Sequence, residues 1–213
     1  MSSDLVEITL LSLAVSGAAT LISLLIGLPI GTWLALSRFR SRHVVLSVVN
    51  TGMALPPVVV GLFIALLLWR SGVLGGLGLM YTPGAMVIAE VVIAAPIVMG
   101  LTVAGLGQLD PRLQLQGLGA SRWQTVWWLW REARLPLLAA VMAAFGSVIS
   151  EVGAAMMVGG NIAHETRVLT TSIVLEVGRG EFGNAIVMGL VLLSLAFMVN
   201  GVLTWAQQRG PRR

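Results

Sequence analysis

The side chains able to do chemistry are few, and two of them are carboxylates, Glu90 and Glu151, each set inside an apolar stretch. A carboxylate in such surroundings is costly, and it commonly faces a cavity, a partner or the interior of a helix bundle. Three roles stay open: the pair binds a transported cation, lines a gate, or is structural, each carboxylate bonded to a neighbouring hydroxyl. Ser147, one helical turn before Glu151, is a candidate donor. No arginine lies inside the apolar runs as a counterion. We favour the structural or gating role over cation transport.

Other reactive groups are scarce. His43 and His164 are far apart and fall on opposite predicted faces, which argues against a shared metal site, and both are expected to be solvated. The chain has no cysteine and no lysine, which excludes a thiolate site and a P-loop nucleotide site. The sequence therefore predicts no catalytic residue, no metal site and no cofactor.

The composition indicates what surrounds these residues. Of 213 residues, 57% are hydrophobic and only 10% are charged, against about 25% charged in soluble domains. A membrane helix needs about 20 mostly apolar residues, and backbone groups in lipid must bond internally. We therefore predict an all-α membrane protein of one domain, residues 1–213, with about five transmembrane helices. The apolar runs cover residues 8–36, 44–69, 85–106, 135–158 and 182–205.

The arginines predict the orientation. Positive side chains accumulate on the cytoplasmic side, which favours an external N-terminus and a cytoplasmic C-terminus. This topology leaves three arginines outside, Arg70, Arg167 and Arg179, and ten inside. It also explains the basic net charge of +4 without nucleic acid as a partner. The ten are Arg38, Arg40, Arg42, Arg112, Arg122, Arg131, Arg134, Arg209, Arg212 and Arg213.

Two further patterns concern the last two spans. Small residues recur at steps of three and four along the fourth span, which is typical of a helix-packing face, and the same face is a candidate lining for a translocation path. The connection at 159–181 is too polar to span the membrane twice, and its spacing predicts a short helix lying at the outer surface. The residues of the small stripe are Ala143, Gly146, Ser150, Gly153 and Met157.

The loop at 108–134 is predicted to be cytoplasmic and carries four tryptophans. From Ser121 a helix is expected, with Trp123, Trp127 and Trp130 on one face. Tryptophan and arginine are typical anchors of protein interfaces, so the loop is a candidate docking surface for another protein. The alternative is a helix lying on the lipid surface.

This loop resembles the coupling loop of ABC-type importer permeases. The stretch LGASRWQTVWWLW followed by Leu135 and Pro136 carries the likeness, and Gly119 matches the glycine of that loop. The usual Glu-Ala-Ala positions are occupied by Leu-Gln-Leu at 113–115, and the spacing from Gly119 to Pro136 is longer by about one helical turn.

Three other segments resemble the oxyanion branch of the same family. ALPPVVVGL at 54–62 and SEVGAAMMVGGNI at 150–162 are similar to segments of molybdate and tungstate permeases. SGVLGGLGLMYTPGAMVIAE at 71–90 is most like the tungstate branch. The resemblance covers most of the chain and implies an importer permease for an oxyanion, with tungstate as the expected substrate and molybdate or sulfate as alternatives.

The resemblance also implies partners and sites. It implies a homodimer in the inner membrane, two ATP-binding subunits and an extracytoplasmic oxyanion-binding protein, with lipid around the spans. The residues expected to couple to the ATP-binding subunits are Gly117, Gly119, Ala120, Ser121, Arg122 and Trp123. Those expected along the translocation path or gate are Glu90, Glu151, Gly153, Met157, Gly160 and Asn161.

Two rival functions stay open. A secondary transporter or channel would use Glu90 and Glu151 for protons or cations and would need no ATPase. A membrane scaffold would dock partners through its tryptophan loop and would show no flux.

Overall fold

The computed structural model describes residues 2–108 and 121–208, and every regular element in these ranges is a helix. In chain order the helices are α1 (Ser2–Leu36), α2 (Arg42–Met53), α3 (Pro57–Leu68), a short 3-10 helix (Gly75–Leu77), α4 (Pro83–Gly107), α5 (Arg122–Glu132), α6 (Arg134–Ile149), α7 (Gly153–Gly159), α8 (Leu169–Gly178) and α9 (Phe182–Gln208).

Three helices, α1, α4 and α9, are long and apolar enough to cross a membrane on their own. The count rises to five if each of two bent helix pairs forms one span, which agrees with the predicted number. Pro29 and Pro96 lie inside α1 and α4 without ending them. Membrane helices accommodate such prolines because neighbouring groups satisfy the freed carbonyls.

The second and fourth predicted spans are interrupted, which corrects the expectation of one helix per apolar run. The chain bends by 100° between α2 and α3. Pro57 takes the first helical position of α3, where its missing N–H breaks no helical hydrogen bond. In the fourth run α6 ends at Ile149 and α7 begins at Gly153. A further bend of 74° separates α5 from α6.

Helix α4 is the centre of the bundle and packs against α1, α6 and α7. Its contact with α1 depends on two glycines spaced GxxxG. A Cβ on Gly27 would lie 2.7 Å from the Cβ of Val98, and one on Gly31 would lie 2.8 Å from the Cβ of Thr102. Small residues at this spacing allow close approach of membrane helices. The GxxxG spacing is present in the sequence, although the stripe of small residues predicted as a packing face lies on the fourth span.

Helix α9 lies at the edge of the bundle and exposes a long apolar surface. Leu190, Leu193, Phe197 and Met198 are all exposed, whereas Ala185 is its buried residue. In water such a face would be unfavourable, and a bilayer covers it without cost. The arrangement is that of a multi-pass membrane protein.

The tryptophan-rich helix α5 is held against the ends of α1 and α4. Ser121 and Gln124 form a reciprocal capping box at its start, as expected for a helix beginning here. Leu129 is buried in a cluster with Leu106. The indole N–H of Trp130 donates to the hydroxyl of Thr32 at 2.9 Å. One side of α5 is therefore fixed to the bundle while its other side stays open.

Candidate functional site

The break between α6 and α7 positions Glu151. One carboxylate oxygen of Glu151 accepts a hydrogen bond from the backbone N–H of Ala154 at 3.0 Å, so it satisfies a free donor in the first turn of α7. The hydroxyl of Thr170, at the start of α8, donates to the Glu151 carbonyl at 2.8 Å. Glu151 thereby joins three helices at one buried point.

The predicted bond between Ser147 and Glu151 is wrong. It assumed an unbroken helix, but α6 ends before Glu151 and the carboxylate turns toward α7. The nearby hydroxyl of Ser150 instead donates to carbonyls of its own helix, at 2.8 Å to Gly146. The Glu151 carboxylate therefore accepts from a backbone donor in place of the expected hydroxyl.

Glu90 lies in α4 and is 3% exposed. Its helix packs against α7, and the Glu151 carboxylate is bonded to the first turn of α7. Among the described residues, Oε2 of Glu90 has no hydrogen-bond partner. Within the same residues no group of three histidine, cysteine, aspartate or glutamate side chains could hold a metal. The two predicted carboxylates are therefore buried on neighbouring parts of the bundle.

The small residues of the fourth run do not form one continuous packing face. Gly153 contacts Val58 of α3 so closely that any Cβ would clash with the valine side chain. A Cβ on Gly146 would meet nothing within 4 Å, and Ala143 and Ser150 are exposed. The break at 150–152 therefore separates a closely packed segment, with Gly153, from an open one within this protomer.

Helix α7 is inserted between α3 and α4. A Cβ on Gly61 of α3 would lie 2.6 Å from the Cα of Ala154 and 3.1 Å from the Cβ of Met157. Met157 is partly exposed beyond this crossing. Ala155 and Val158 are buried against α4. The predicted residues Gly153 and Met157 thus lie at the crossing of two short helices.

The turn after α7 depends on backbone conformations that favour glycine and asparagine. Gly160 has φ +70°, and a Cβ there would lie 2.8 Å from the ring of Tyr81. Asn161 has φ +53°, a region that asparagine tolerates better than most residues. Its side-chain amide donates to the Thr171 carbonyl at 3.4 Å, and its own carbonyl accepts from Arg167 at 3.3 Å. The predicted path residues Gly160 and Asn161 therefore lie in a turn that these hydrogen bonds close.

Two residues of this loop escaped the sequence reasoning. Thr166 is fully buried, donates to the Gly159 carbonyl and accepts from the Ile162 N–H at 3.0 Å. Arg167 was counted only for topology, yet its guanidinium holds the Asn161 carbonyl. The loop was also expected to lead into a helix lying at the surface. Helix α8 exists, but its first turn is buried, and the Leu169 N–H donates to Ser12 of α1 at 2.8 Å.

The predicted coupling residues are only partly within the described ranges. Gly117, Gly119 and Ala120 lie outside them. Ser121 is the cap of α5, and Arg122 is the first residue of that helix. Trp123 is 85% exposed and Trp127 is 68% exposed, whereas Trp130 is turned into its bond with Thr32. The predicted tryptophan face is thus divided between an open part and an anchored part.

His164, expected to be a lone solvated side chain, is exposed but paired. Its Nδ1 lies 2.9 Å from a carboxylate oxygen of Glu7 in α1. The hydrogen bond to Glu7 and the charge of that carboxylate raise the pKa of His164 above its usual 6.5. The contact is therefore complete below pH 6.5 and is lost as the pH rises through the raised pKa.

We expect an NMR titration of the full-length protein in detergent to give His164 a pKa above 6.5. Glu7→Gln should bring that pKa back toward the usual value, because the charge and the ion-pair hydrogen bond are both lost. An unchanged pKa in Glu7→Gln would contradict the contact. His164→Ala should leave transport intact, since the side chains of His164 and Glu7 are both exposed.

The chain is similar to a known family of transport components and to permeases of that family. The family described as binding-protein-dependent transport system inner membrane component matches residues 27–209. The tungstate uptake system permease protein TupB of Peptoclostridium acidaminophilum is 39% identical over 203 residues, covering 94% of this chain and 89% of that protein. The molybdenum transport system permease protein ModB of Azotobacter vinelandii is 30% identical over 196 residues, covering 86% and 87%.

Among solved structures, the MetNI methionine ABC transporter in an inward-facing conformation aligns with a TM-score of 0.73. That alignment covers 98% of this chain and 95% of the other at 23% identity, so it supports the fold alone.

Proposed function

The chain belongs to the binding-protein-dependent transport system inner membrane components and is an ABC importer permease of the tungstate/molybdate type; from this premise we propose that it admits tungstate across the inner membrane in an ATP-driven importer. The observation that carries the proposal is the 39% identity to a tungstate uptake permease across 94% of the chain. As a membrane transport component it is not itself a catalyst, and ATP hydrolysis is assigned to a partner.

The partners follow from the same reading. Two copies of the chain form the pore along their common axis, two ATP-binding subunits attach on the cytoplasmic side, and an external oxyanion-binding protein delivers the anion. The proposed coupling segment, within residues 108–134, runs from Gly117 through Trp123. The open tryptophans of α5 support it, because exposed aromatic side chains on an anchored helix are typical of a docking surface.

The translocation path is assigned to the α7 region, with Glu151, Gly153, Met157, Gly160 and Asn161 along it and Glu90 behind it. An oxyanion would be repelled by the two carboxylates, so they are not assigned as its ligands. Their place at the junction of α4, α6 and α7 supports a role in holding or releasing a gate.

The geometry gives a route for coupling. Helix α5 is joined to α1 by the Trp130–Thr32 bond and to α4 by the Leu129 cluster. A push on α5 by ATP-driven closure of the partner subunits would therefore reach both central spans as a rigid-body movement. Alternating access of this kind requires two discrete arrangements of the bundle and no new binding site in the pore.

One observation favours a second candidate, a secondary transporter of protons or cations. The buried Glu90 has an unpartnered oxygen among the described residues, and its helix packs against α7, to which the Glu151 carboxylate is bonded. Uptake into proteoliposomes, with and without the ATP-binding subunit and the binding protein, separates the two functions. Tungstate, molybdate and sulfate supplied in competition would identify the substrate. Flux without ATP would overturn the importer proposal.

The Glu151 variants sharpen this test. Glu151→Gln keeps an oxygen able to cap α7 and removes the charge, so ATP-driven uptake should stay within about threefold of wild type. Glu151→Ala removes the acceptor for the Ala154 N–H and should lower the free energy of unfolding by about 1 kcal/mol. Glu90→Gln is the matched control for charge. Abolished transport in Glu151→Gln would instead support the secondary transporter, in which the carboxylates carry protons or cations.

A further inference from the structure

A cavity of about 420 Å³ lies between the first two turns of α1, helix α8 and the first two turns of α9. It is separate from the α7 crossing that carries the proposed path. Most of its lining is apolar, and its polar lining residues are Asp4, Arg167, Ser172, Glu176 and Asn184. The volume is within the range of about 300–1,000 Å³ that is usual for small-ligand sites, and a few polar groups in apolar walls are also typical of them.

Two donors at this cavity lack a protein acceptor. Ser172 is 1% exposed, and its hydroxyl has no hydrogen-bond partner among the described residues. The Nε of Arg167 is likewise buried and unpartnered within the same ranges, although another nitrogen of its guanidinium holds the Asn161 carbonyl at 3.3 Å. Buried polar groups are rarely left without a partner, so the pair points to a ligand that supplies acceptor oxygens. An arginine beside a hydroxyl suits a phosphate group.

The charges at the cavity favour a ligand without net charge over a simple anion. Glu176 accepts from Arg179 at 3.2 Å and from Asn184 at 3.3 Å, and a carboxylate retains further acceptor positions after two such bonds. Asp4 adds a second carboxylate to the lining. Arg167 in the lining and Arg179, which bonds Glu176 from outside it, balance the two carboxylates. A neutral ligand that carries both a phosphate and an ammonium group fits this arrangement.

The position of the cavity indicates where such a ligand comes from. Helix α1 has 35 residues, about 52 Å at about 1.5 Å per residue, and exceeds the hydrocarbon core of about 30 Å. This excess length allows its first two turns to reach the headgroup region. From the cavity, the exposed residues Ile186, Val187 and Leu190 continue along α9 toward the interior of the bilayer. This apolar strip would accommodate an acyl chain.

We propose that this cavity binds the headgroup of a zwitterionic aminophospholipid from the surrounding bilayer. The lipid phosphate accepts hydrogen bonds from Arg167 and Ser172, its ammonium group donates to Glu176, and an acyl chain lies on the exposed face of α9. The lipid would hold α8 against α1 and α9.

The test is native mass spectrometry of the full-length protein, purified in detergent and titrated with phosphatidylethanolamine or phosphatidylglycerol of the same acyl chains. Wild type should retain phosphatidylethanolamine at least about fivefold better than phosphatidylglycerol. Ser172→Ala, which removes a hydroxyl without any bond to another residue among those described, should reduce this retention severalfold. Ser71→Ala, at an exposed serine in the connection after α3 and outside the cavity lining, is the matched control and should retain lipid as wild type does.

Glu176→Gln should abolish the preference between the two lipids while retaining the phosphate contact. Equal retention of both lipids by wild type would overturn the zwitterionic assignment. Displacement of bound lipid by millimolar inorganic phosphate would show a free-anion site and would overturn the lipid source. The measurement uses neither ATP nor the binding protein, so its failure would leave the proposed transport function untouched, and the reverse also holds.

Discussion

Replacing both Trp123 and Trp127 with alanine should lower ATP-driven anion uptake at least tenfold and leave the Tm of the purified protein unchanged. A tenfold loss corresponds to about 1.4 kcal/mol of free energy. The two indoles are 85% and 68% exposed, so their removal opens no cavity in the bundle. Truncating a tryptophan at the centre of an interface commonly costs about 2 kcal/mol or more of binding free energy. Weaker docking of the ATP-binding subunit would interrupt the ATP-driven movement that α5 passes to the spans.

The control variant is Trp33→Ala, because Trp33 is also exposed but lies in α1, where its ring stacks on Phe39 at 5.2 Å. It should retain most of the uptake. Copurification of the ATP-binding subunit with each variant separates lost docking from lost movement. Full uptake by the double alanine variant would assign α5 to the lipid surface, the alternative reading of its composition.

The long elements were predictable because their cause is local. An apolar run of about 20 residues must be helical in lipid, whatever surrounds it, and α1, α4 and α9 follow that rule. Ser121 likewise begins α5 through a capping box formed within four residues of sequence. Such features depend on neighbours in the chain, and the sequence displays them directly.

The interruption of the fourth run could not be predicted in this way. Ser150, Glu151 and Val152 include no proline, and the run reads as one apolar helix. The break is stabilised by Thr170, 19 residues away, whose hydroxyl holds the Glu151 carbonyl, and by the insertion of α7 against α3. Contacts between distant segments determine this break, and the spacing of residues along one helix does not indicate such contacts.

Only part of the candidate site could be predicted, because the rest depends on contacts between distant segments. A carboxylate inside an apolar run is expected to face the interior of the bundle, and Glu90 and Glu151 are both buried. Thr166 and Arg167 offered no comparable signal, since a threonine and an arginine in a polar connection look like solvated loop residues. Their roles come from the return of the chain onto Gly159 and Asn161 after the glycine turn.

The crossing of α3 and α7 leads to the second strong prediction. Gly61→Val places a Cβ 2.6 Å from the backbone Cα of Ala154, a contact that no rotamer change relieves. Overpacking of this kind costs about 1–3 kcal/mol. Because α7 also carries Met157 and is capped by Glu151, its displacement should distort the proposed path. We expect a lower Tm and a loss of ATP-driven uptake of at least tenfold, or about 1.4 kcal/mol.

Gly189→Val is the matched control. Gly189, like Gly61, lies within an apolar helix, but a Cβ on Gly189 meets nothing within 4 Å. It should melt and transport as wild type does, which would show that the glycine-to-valine change is harmless where space exists. A lower Tm in Gly61→Val with normal uptake would separate the stability of the crossing from transport and would remove α7 from the path. If Gly61→Val instead loses uptake while the ATP-binding subunit still copurifies, the defect lies within the spans, because α5 and its docking surface are unchanged.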